Sequence, residues 1–238
     1  MKKKVALEPF YNDKTDIFEI GIDEAGRGPM FGRVYSGAVI LPKNTDFQFD
    51  LLKDSKKFTS EKKINEVAEY IKNNALFWNV SYEDENVIDN INIRNATHCS
   101  MHKCIKNITK QYAENNENSK SFADKFYLLI DGNDFKNYTY YENNLLHEIS
   151  HICIEGGDNK YCSIAAASIL AKVERDKYIK DLCKDYPQLD NYYGLEKNKG
   201  YGTSKHIEAI KNIGISPWHR KTYGCCKNAK LNNADFYL

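Results

Sequence analysis

The run SIAAASILAKVERD, Ser163 to Asp176, constrains the fold of this chain more than any other stretch. Alanine is the best helix former, and its small side chain lets a helix lie close against a sheet. The run predicts a helix over 163–180 that packs tightly on strands. Those strands must come from the rest of the chain.

Ile17 to Ile22 places Phe18, Ile20 and Ile22 at alternating positions, and Val34 to Leu41 is a second β-rich run. Gly26–Arg27–Gly28–Pro29 lies between them, so two antiparallel strands joined by a shaped loop are expected. Ser60 is a suitable N-cap for an amphipathic helix carrying Ile64, Val67, Ala68 and Ile71 on one face. Further along, the pattern predicts a strand at Leu76 to Val80 and a helix at Asn95 to Tyr112. A short apolar strand, Phe126 to Ile130, ends in Asp131–Gly132–Asn133, and another, Ile149 to Ile154, precedes Gly156–Gly157–Asp158. Thr203 to Asn212 reads as the last helix. A hairpin followed by alternating strands and helices implies an α/β chain with a mixed central sheet, antiparallel first and then parallel, flanked by helices. The expected organisation is an N-terminal extension over 1–16, one catalytic domain over 17–223 and a short tail over 224–238. Asn133 to Asn144 is expected to be a surface loop.

A chain of 238 residues that is 42% hydrophobic can bury one sizeable core. Its net charge is +1, so contacts to nucleic acid must come from charges gathered on one face. Seven cysteines without regular spacing, and a basic start at Met1 to Lys4 that no apolar core follows, point to a reducing, cytoplasmic setting. Cys225–Cys226 are read as incidental thiols. No apolar run is long enough to span a bilayer, and a monomer without membrane partners is expected.

Acidic residues stand where these elements end or begin: Asp23–Glu24 after the first strand, Asp131 after the apolar strand, Asp158 before the alanine-rich helix. A lone aspartate at such a place is usually a turn former or a cap. Several together suit a different task. Magnesium prefers oxygen ligands, and two such ions about 4 Å apart can clamp the attacking and leaving oxygens of a phosphodiester.

GIDEAGRGP (Gly21 to Pro29), DSKK (Asp54 to Lys57), NAT (Asn95 to Thr97), IDGN (Ile130 to Asn133), GGD (Gly156 to Asp158), SIAAASILAKVERD and KGYGTSKH (Lys199 to His206) follow one another in this order. In that order they resemble ribonuclease HII, the type 2 ribonuclease H family. The resemblance implies a ribonuclease H-like fold. It also implies a Mg2+- or Mn2+-dependent, two-metal endonuclease that acts on RNA/DNA hybrids and on duplex DNA containing ribonucleotides. Such an enzyme nicks 5′ of an embedded ribonucleotide, leaves a 3′-hydroxyl and a 5′-phosphate, and serves ribonucleotide and primer removal in repair and replication. Carried over motif by motif, Asp23, Glu24, Asp131 and Asp158 match the catalytic, metal-binding carboxylates. Gly26, Arg27 and Gly28 match the loop whose backbone reads the 2′-hydroxyl, with Arg27 reaching a phosphate. Lys56, beside Lys57, matches a phosphate contact, and Tyr201 matches the tyrosine packed on the deoxyribose after the ribonucleotide. Lys199, His219 and Arg220 are candidates to extend a basic track.

A rival motif is His147–Glu148–Ile149–Ser150–His151, which fits HExxH, with Glu174 as a tempting third ligand for a zinc metalloprotease. Only a helix aligns residues four apart for one metal, and the β-branched run from Ile149 reads as a strand. A catalytically inactive nucleic-acid-binding protein is a further alternative, opposed by the presence of all four carboxylates. Against the family pattern, Arg33 stands where proline is common and Phe31 where a small residue is common, so the back of the glycine loop should pack differently. The segment between Asp131 and Asp158 is longer than in compact members. Type 3 relatives lack the GRG arrangement and carry an N-terminal platform for which the residues before Gly21 are too few. In the tail, Phe236 and Tyr237 resemble an aromatic sliding-clamp peptide. Leu231 is misplaced for that spacing, so a plain tail is expected and a clamp is the partner held in reserve.

Overall fold

A computed structural model describes residues 6–12, 14–43, 46–115, 123–142, 144–232 and 236. In chain order the elements are β1 (Phe18–Ala25), β2 (Val34–Ile40), α1 (Glu61–Asn74), β3 (Phe77–Glu83), α2 (Glu85–Asn115) and β4 (Phe126–Asp131). There follow β5 (Thr139–Glu142), β6 (Leu145–Glu148), β7 (His151–Ile154), α3 (Cys162–Asp185), α4 (Gln188–Tyr193), α5 (Leu195–Asn198) and α6 (Ser204–Ile213). The main sheet runs β3-β2-β1-β4-β7. Its β1–β2 and β2–β3 pairs are antiparallel and its β1–β4 and β4–β7 pairs parallel, as the sequence pattern predicts.

Alternation along the central strands sorts the core onto two faces. Ile20, Ile22, Leu128 and Ile130 meet Met101, Ile105 and Ile108 of α2 on one face. Burial of each such side chain contributes about 2 kcal/mol. On the other face the alanines of α3 lie so close that a Cβ on Gly21 would stand 2.2 Å from the Ser163 carbonyl carbon, and one on Gly37 2.3 Å from the Ala167 oxygen. Small residues on both partners are therefore obligatory at this contact. Ser60 caps α1 and Thr203 caps α6.

Three expectations need correction. The helix expected from Asn95 begins ten residues earlier, at Glu85, and is broken at Asn92, whose φ is +67°. The stretch expected to be a loop from Asn133 to Asn144 contains β5, which pairs with β6 in a second, two-stranded sheet. Tyr138 and Tyr140 pack against the core there, and Asn144 takes the left-handed turn conformation at φ +62°. The strand expected from Ile149 instead starts at His151, because buried Ile149 leads out of the small sheet into the large one. Within the tail, Cys226 and Phe236 are buried in a third core cluster with Tyr193 and Ile179, and Leu231 bridges to Ile215. Tyr237 lies outside the described residues. No helix among the described residues is long and apolar enough to cross a membrane.

Carboxylates beside a glycine loop form the candidate active site

The parallel pairing of β1 with β4 aligns Ile22 with Ile130, and one residue further along each strand stand Asp23 and Asp131. Beyond β7, Gly156 adopts φ +63° and turns the chain into a short 3-10 turn, Gly157–Asn159, that carries Asp158. The Gly157 N–H donates to Asp131 Oδ1 at 2.6 Å, fixing the carboxylate from the neighbouring strand. Strands far apart in sequence thus bring Asp23, Glu24, Asp131 and Asp158 to one end of the sheet.

Their electrostatics are those of an acidic group that Arg27 and Lys56 compensate only in part. Asp23 is 5% exposed, and burial, then the charges of Glu24 and Asp131, raise its pKa well above the usual carboxylate range. Asp158 is raised by burial, Asp131 and Asp54. Glu24 is raised chiefly by burial, although Arg27 works against the shift. Burial opposes the charge of Lys56, but Asp158, Asp54, Asp23 and Asp131 more than offset it. Its Nζ lies 3.9 Å from Asp158 Oδ2 on a largely exposed side chain, a weak tie in water. An all-oxygen donor set with mutually repelling charges fits a hard divalent cation. Among the described residues no three His, Cys, Asp or Glu side chains are disposed to hold an ion.

Three supporting side chains, Asp54, Asn159 and Ser168, received no role from the motifs. Asp54 caps the turn of the DSKK segment by accepting from the Lys56 N–H, and Asn159 donates to both Asp54 and Asp158. Ser168 of α3 meets Ser55 at 3.0 Å and is near enough to Asp23 to oppose the rise in its pKa. The polar position inside an alanine run was the signal for Ser168.

Gly26, Arg27 and Gly28 line one cleft with Glu24, Lys56 and Tyr201. Gly26 sits at φ +93°, and a Cβ there would overlap the Arg175 side chain at 2.1 Å. Arg27 extends toward solvent and donates to Glu24 at 3.4 Å. Tyr201 is 52% exposed and stands beside Gly28. The basic track is corrected: His219 and Arg220 are fully buried, and the Lys199 ammonium is enclosed, its pKa lowered by burial. Arg33 lies between the rings of Tyr82 and Tyr178, and Phe31 is buried edge-on to His219, so both unusual residues shape the back of the loop.

The HExxH match spans no helix. His147 lies on β6 stacked on Tyr140, whereas His151 opens β7 against Phe135. All seven cysteines are free, and burial pushes the thiols of Cys104, Cys162, Cys183 and Cys226 up to about 12.

Comparison with known proteins adds a family. The ribonuclease HII family model matches residues 20–226. A ribonuclease HII from Bacteroides thetaiotaomicron is 41% identical over 226 residues, covering 95% of this chain and 98% of that one. Among solved structures, the PCNA:RNase HII complex from Archaeoglobus fulgidus contains a similar chain, with TM-score 0.61, 20% identity, and coverage of 87% of this chain and 96% of that one. Bst-RNase HIII in complex with Mn2+ is similar at TM-score 0.59 and 16% identity, covering 89% of this chain and 68% of that one. These structural likenesses establish a ribonuclease H-like fold. With its fold and family agreeing, the chain belongs to ribonuclease HII, the hydrolases that cleave RNA in RNA/DNA hybrids.

Proposed function

We propose that this enzyme incises duplex DNA on the 5′ side of an embedded ribonucleotide, as well as the RNA of longer hybrids, leaving a 3′-hydroxyl and a 5′-phosphate. The observation that carries the proposal is the convergence of Asp23, Glu24, Asp131 and Asp158 beside the cleft lined by Gly26, Arg27, Gly28 and Tyr201. In this reading the four carboxylates hold two divalent cations, Mg2+ or Mn2+, and the Mn2+ in the Bst-RNase HIII structure supports that choice. When bound, such ions stabilise charge on the attacking and departing oxygens of the phosphodiester. Asp131, oriented by the Gly157 N–H, and Asp23, which accepts from the Glu24 N–H at 2.7 Å, are the ligands fixed before binding.

Substrate selection falls to the neighbouring groups. A 2′-hydroxyl both donates and accepts hydrogen bonds, so close backbone groups can recognise it, and glycine permits the approach. Gly26 and Gly28 supply that backbone, Arg27 and Lys56 contact phosphates, and Tyr201 packs on the deoxyribose that follows. The PCNA complex of the Archaeoglobus fulgidus relative supports a sliding clamp as a partner. Buried Phe236 does not present itself as a docking peptide, so a clamp would engage another surface or require the tail to detach.

The test is incision of a duplex carrying one ribonucleotide, with Mg2+ or Mn2+ added after chelation. A single cut 5′ of the ribonucleotide supports the proposal. Cleavage of long hybrids alone would remove the embedded-ribonucleotide activity from it.

A further inference from the structure

Arg220 is fully buried and forms no ion pair among the described residues. Its Nε donates to the Gly32 carbonyl at 2.8 Å, Nη1 to Arg27 at 3.0 Å and Pro29 at 2.8 Å, and Nη2 to Gly26 at 2.6 Å. One guanidinium thus binds four carbonyls of the glycine loop. In a trans peptide the N–H points opposite to the C=O. Turning the Gly26 and Arg27 carbonyls inward therefore aims the N–H groups of Arg27 and Gly28 away from the core. Buried Arg175 of α3 adds a second brace, donating through Nη2 to Phe31 at 3.2 Å and to Lys199 at 3.0 Å. That brace ties the loop to the segment carrying Tyr201.

A second connection reaches Tyr201 through paired histidines. The Ser216 N–H donates to His219 Nδ1 at 3.0 Å, so that nitrogen is an acceptor and the His219 proton sits on Nε2. His206 Nδ1 lies 3.0 Å from the Tyr201 carbonyl oxygen, which can only accept, so the His206 proton sits on Nδ1. The remaining contact, Nε2 to Nε2 at 2.9 Å, then has His219 as donor and His206 as acceptor. Both ends of the chain force the same tautomers. The Phe31–His219 bridge, with Met30 N–H donating to the Gly200 carbonyl, closes the frame between loop and tyrosine.

We infer that Arg175, His206, His219 and Arg220 are positioning residues that hold the Gly26–Gly28 backbone and Tyr201 in one register: the arginines fix the loop that every substrate meets, and the histidines, through Tyr201, set the preference for a ribose-to-deoxyribose junction. The inference rests on the proposed roles of that loop and of Tyr201. His206, His219 and Arg220 lie behind the cleft, and Arg175 reaches its wall with the guanidinium engaged by carbonyls. They act by fixing carbonyls, and a buried charge held by four loop carbonyls, with the Tyr223 ring beside it at 5.0 Å, is costly to keep for packing alone.

Paired variants separate positioning from packing. In His206→Asn the amide nitrogen falls near the place of Nδ1 and keeps the bond to the Tyr201 carbonyl. In His206→Gln the amide falls near Nε2, keeping the contact with His219 and losing the one with Tyr201. Each is compared by kcat and KM on an embedded ribonucleotide and on a long hybrid, with a melting curve to confirm folding. His206→Gln is expected to lower the embedded-to-hybrid ratio of kcat/KM by about ten-fold, and His206→Asn by about two-fold or less. Equal shifts in both variants, or no shift in either while Tyr201→Ala changes the ratio, would overturn the inference. If Tyr201→Ala leaves the ratio unchanged, it is the proposed role of Tyr201 that fails. The inference then stands or falls on Arg220→Lys, whose ammonium cannot bind four carbonyls. That variant should lower kcat about ten-fold on both substrates with KM nearly constant, and an unchanged kcat in the folded variant would sink it.

Discussion

The ring of Tyr201 faces Gly28 so closely that a Cβ added to Gly28 would lie 3.6 Å from its Cε1. That is ordinary contact, and Gly28 does not need a left-handed backbone. Gly28→Ala should therefore fold with nearly unchanged stability. Its methyl would nevertheless occupy the space through which a sugar must reach the backbone. We expect kcat/KM on an embedded ribonucleotide to fall roughly ten-fold or more. Steady-state kinetics alongside a thermal melt would check this, and unimpaired incision would place the sugar elsewhere.

Asp131→Asn preserves shape and the bond from Gly157 but removes one charge from the acidic cluster. Turnover should drop by roughly 1,000-fold or more while hybrid binding remains, since several kcal/mol of charge stabilisation depends on the ion site. Binding by fluorescence anisotropy and single-turnover cleavage distinguish the two effects. Comparable losses in both would mean that Asp131 supports the fold or the substrate rather than the ion.

In the absence of metal, Asp23 should weaken the fold at neutral pH. Its folded pKa is raised above 3.8, chiefly by burial. The native state then binds more protons than the unfolded chain over the window above that value, so this contribution to stability is present at low pH and lost as pH rises. Asp23→Asn in chelator should be more stable than the parent at pH 7, with the advantage shrinking toward pH 4. Urea titrations across pH measure it. Added Mg2+ should reverse the order, because the parent gains a ligand that the variant holds poorly.

The histidine pair carries the opposite sign. Burial, and the neighbouring His206, hold the His219 pKa well below 6.5. The unfolded chain takes up that proton first, so the stability from neutral His219 is present above about pH 6.5 and is lost as pH falls below it. A His206→Asn, His219→Gln double variant should show a flatter stability profile between pH 7 and pH 5. A slope as steep as that of the parent would assign the acid sensitivity to other groups.

At the contact of sheet and α3, Gly37→Ala should cost about 3 kcal/mol or more, because its Cβ would meet a backbone oxygen that cannot swing aside. Ala167→Gly should not rescue it, since the obstacle is the Ala167 carbonyl and not its side chain. Denaturant midpoints of the single and double variants decide the matter.

The sequence by itself determined the central architecture, because alternation along Phe18 to Ile22 and the small residues of Ala165 to Ala167 leave few ways to bury both faces of a sheet. It also marked Asp23, Glu24, Asp131 and Asp158, since strand ends and turn glycines are local signals. Pairing across distant strands is not local. Only the tertiary structure decided that Asp131 and Asp158 meet through Gly157, and that Asp54 and Ser168 stand behind them. It also reversed the reading of His219 and Arg220. Their charge suggested a surface track, yet burial is set by what packs around a side chain. Four loop carbonyls offset much of the cost of holding Arg220 in the interior.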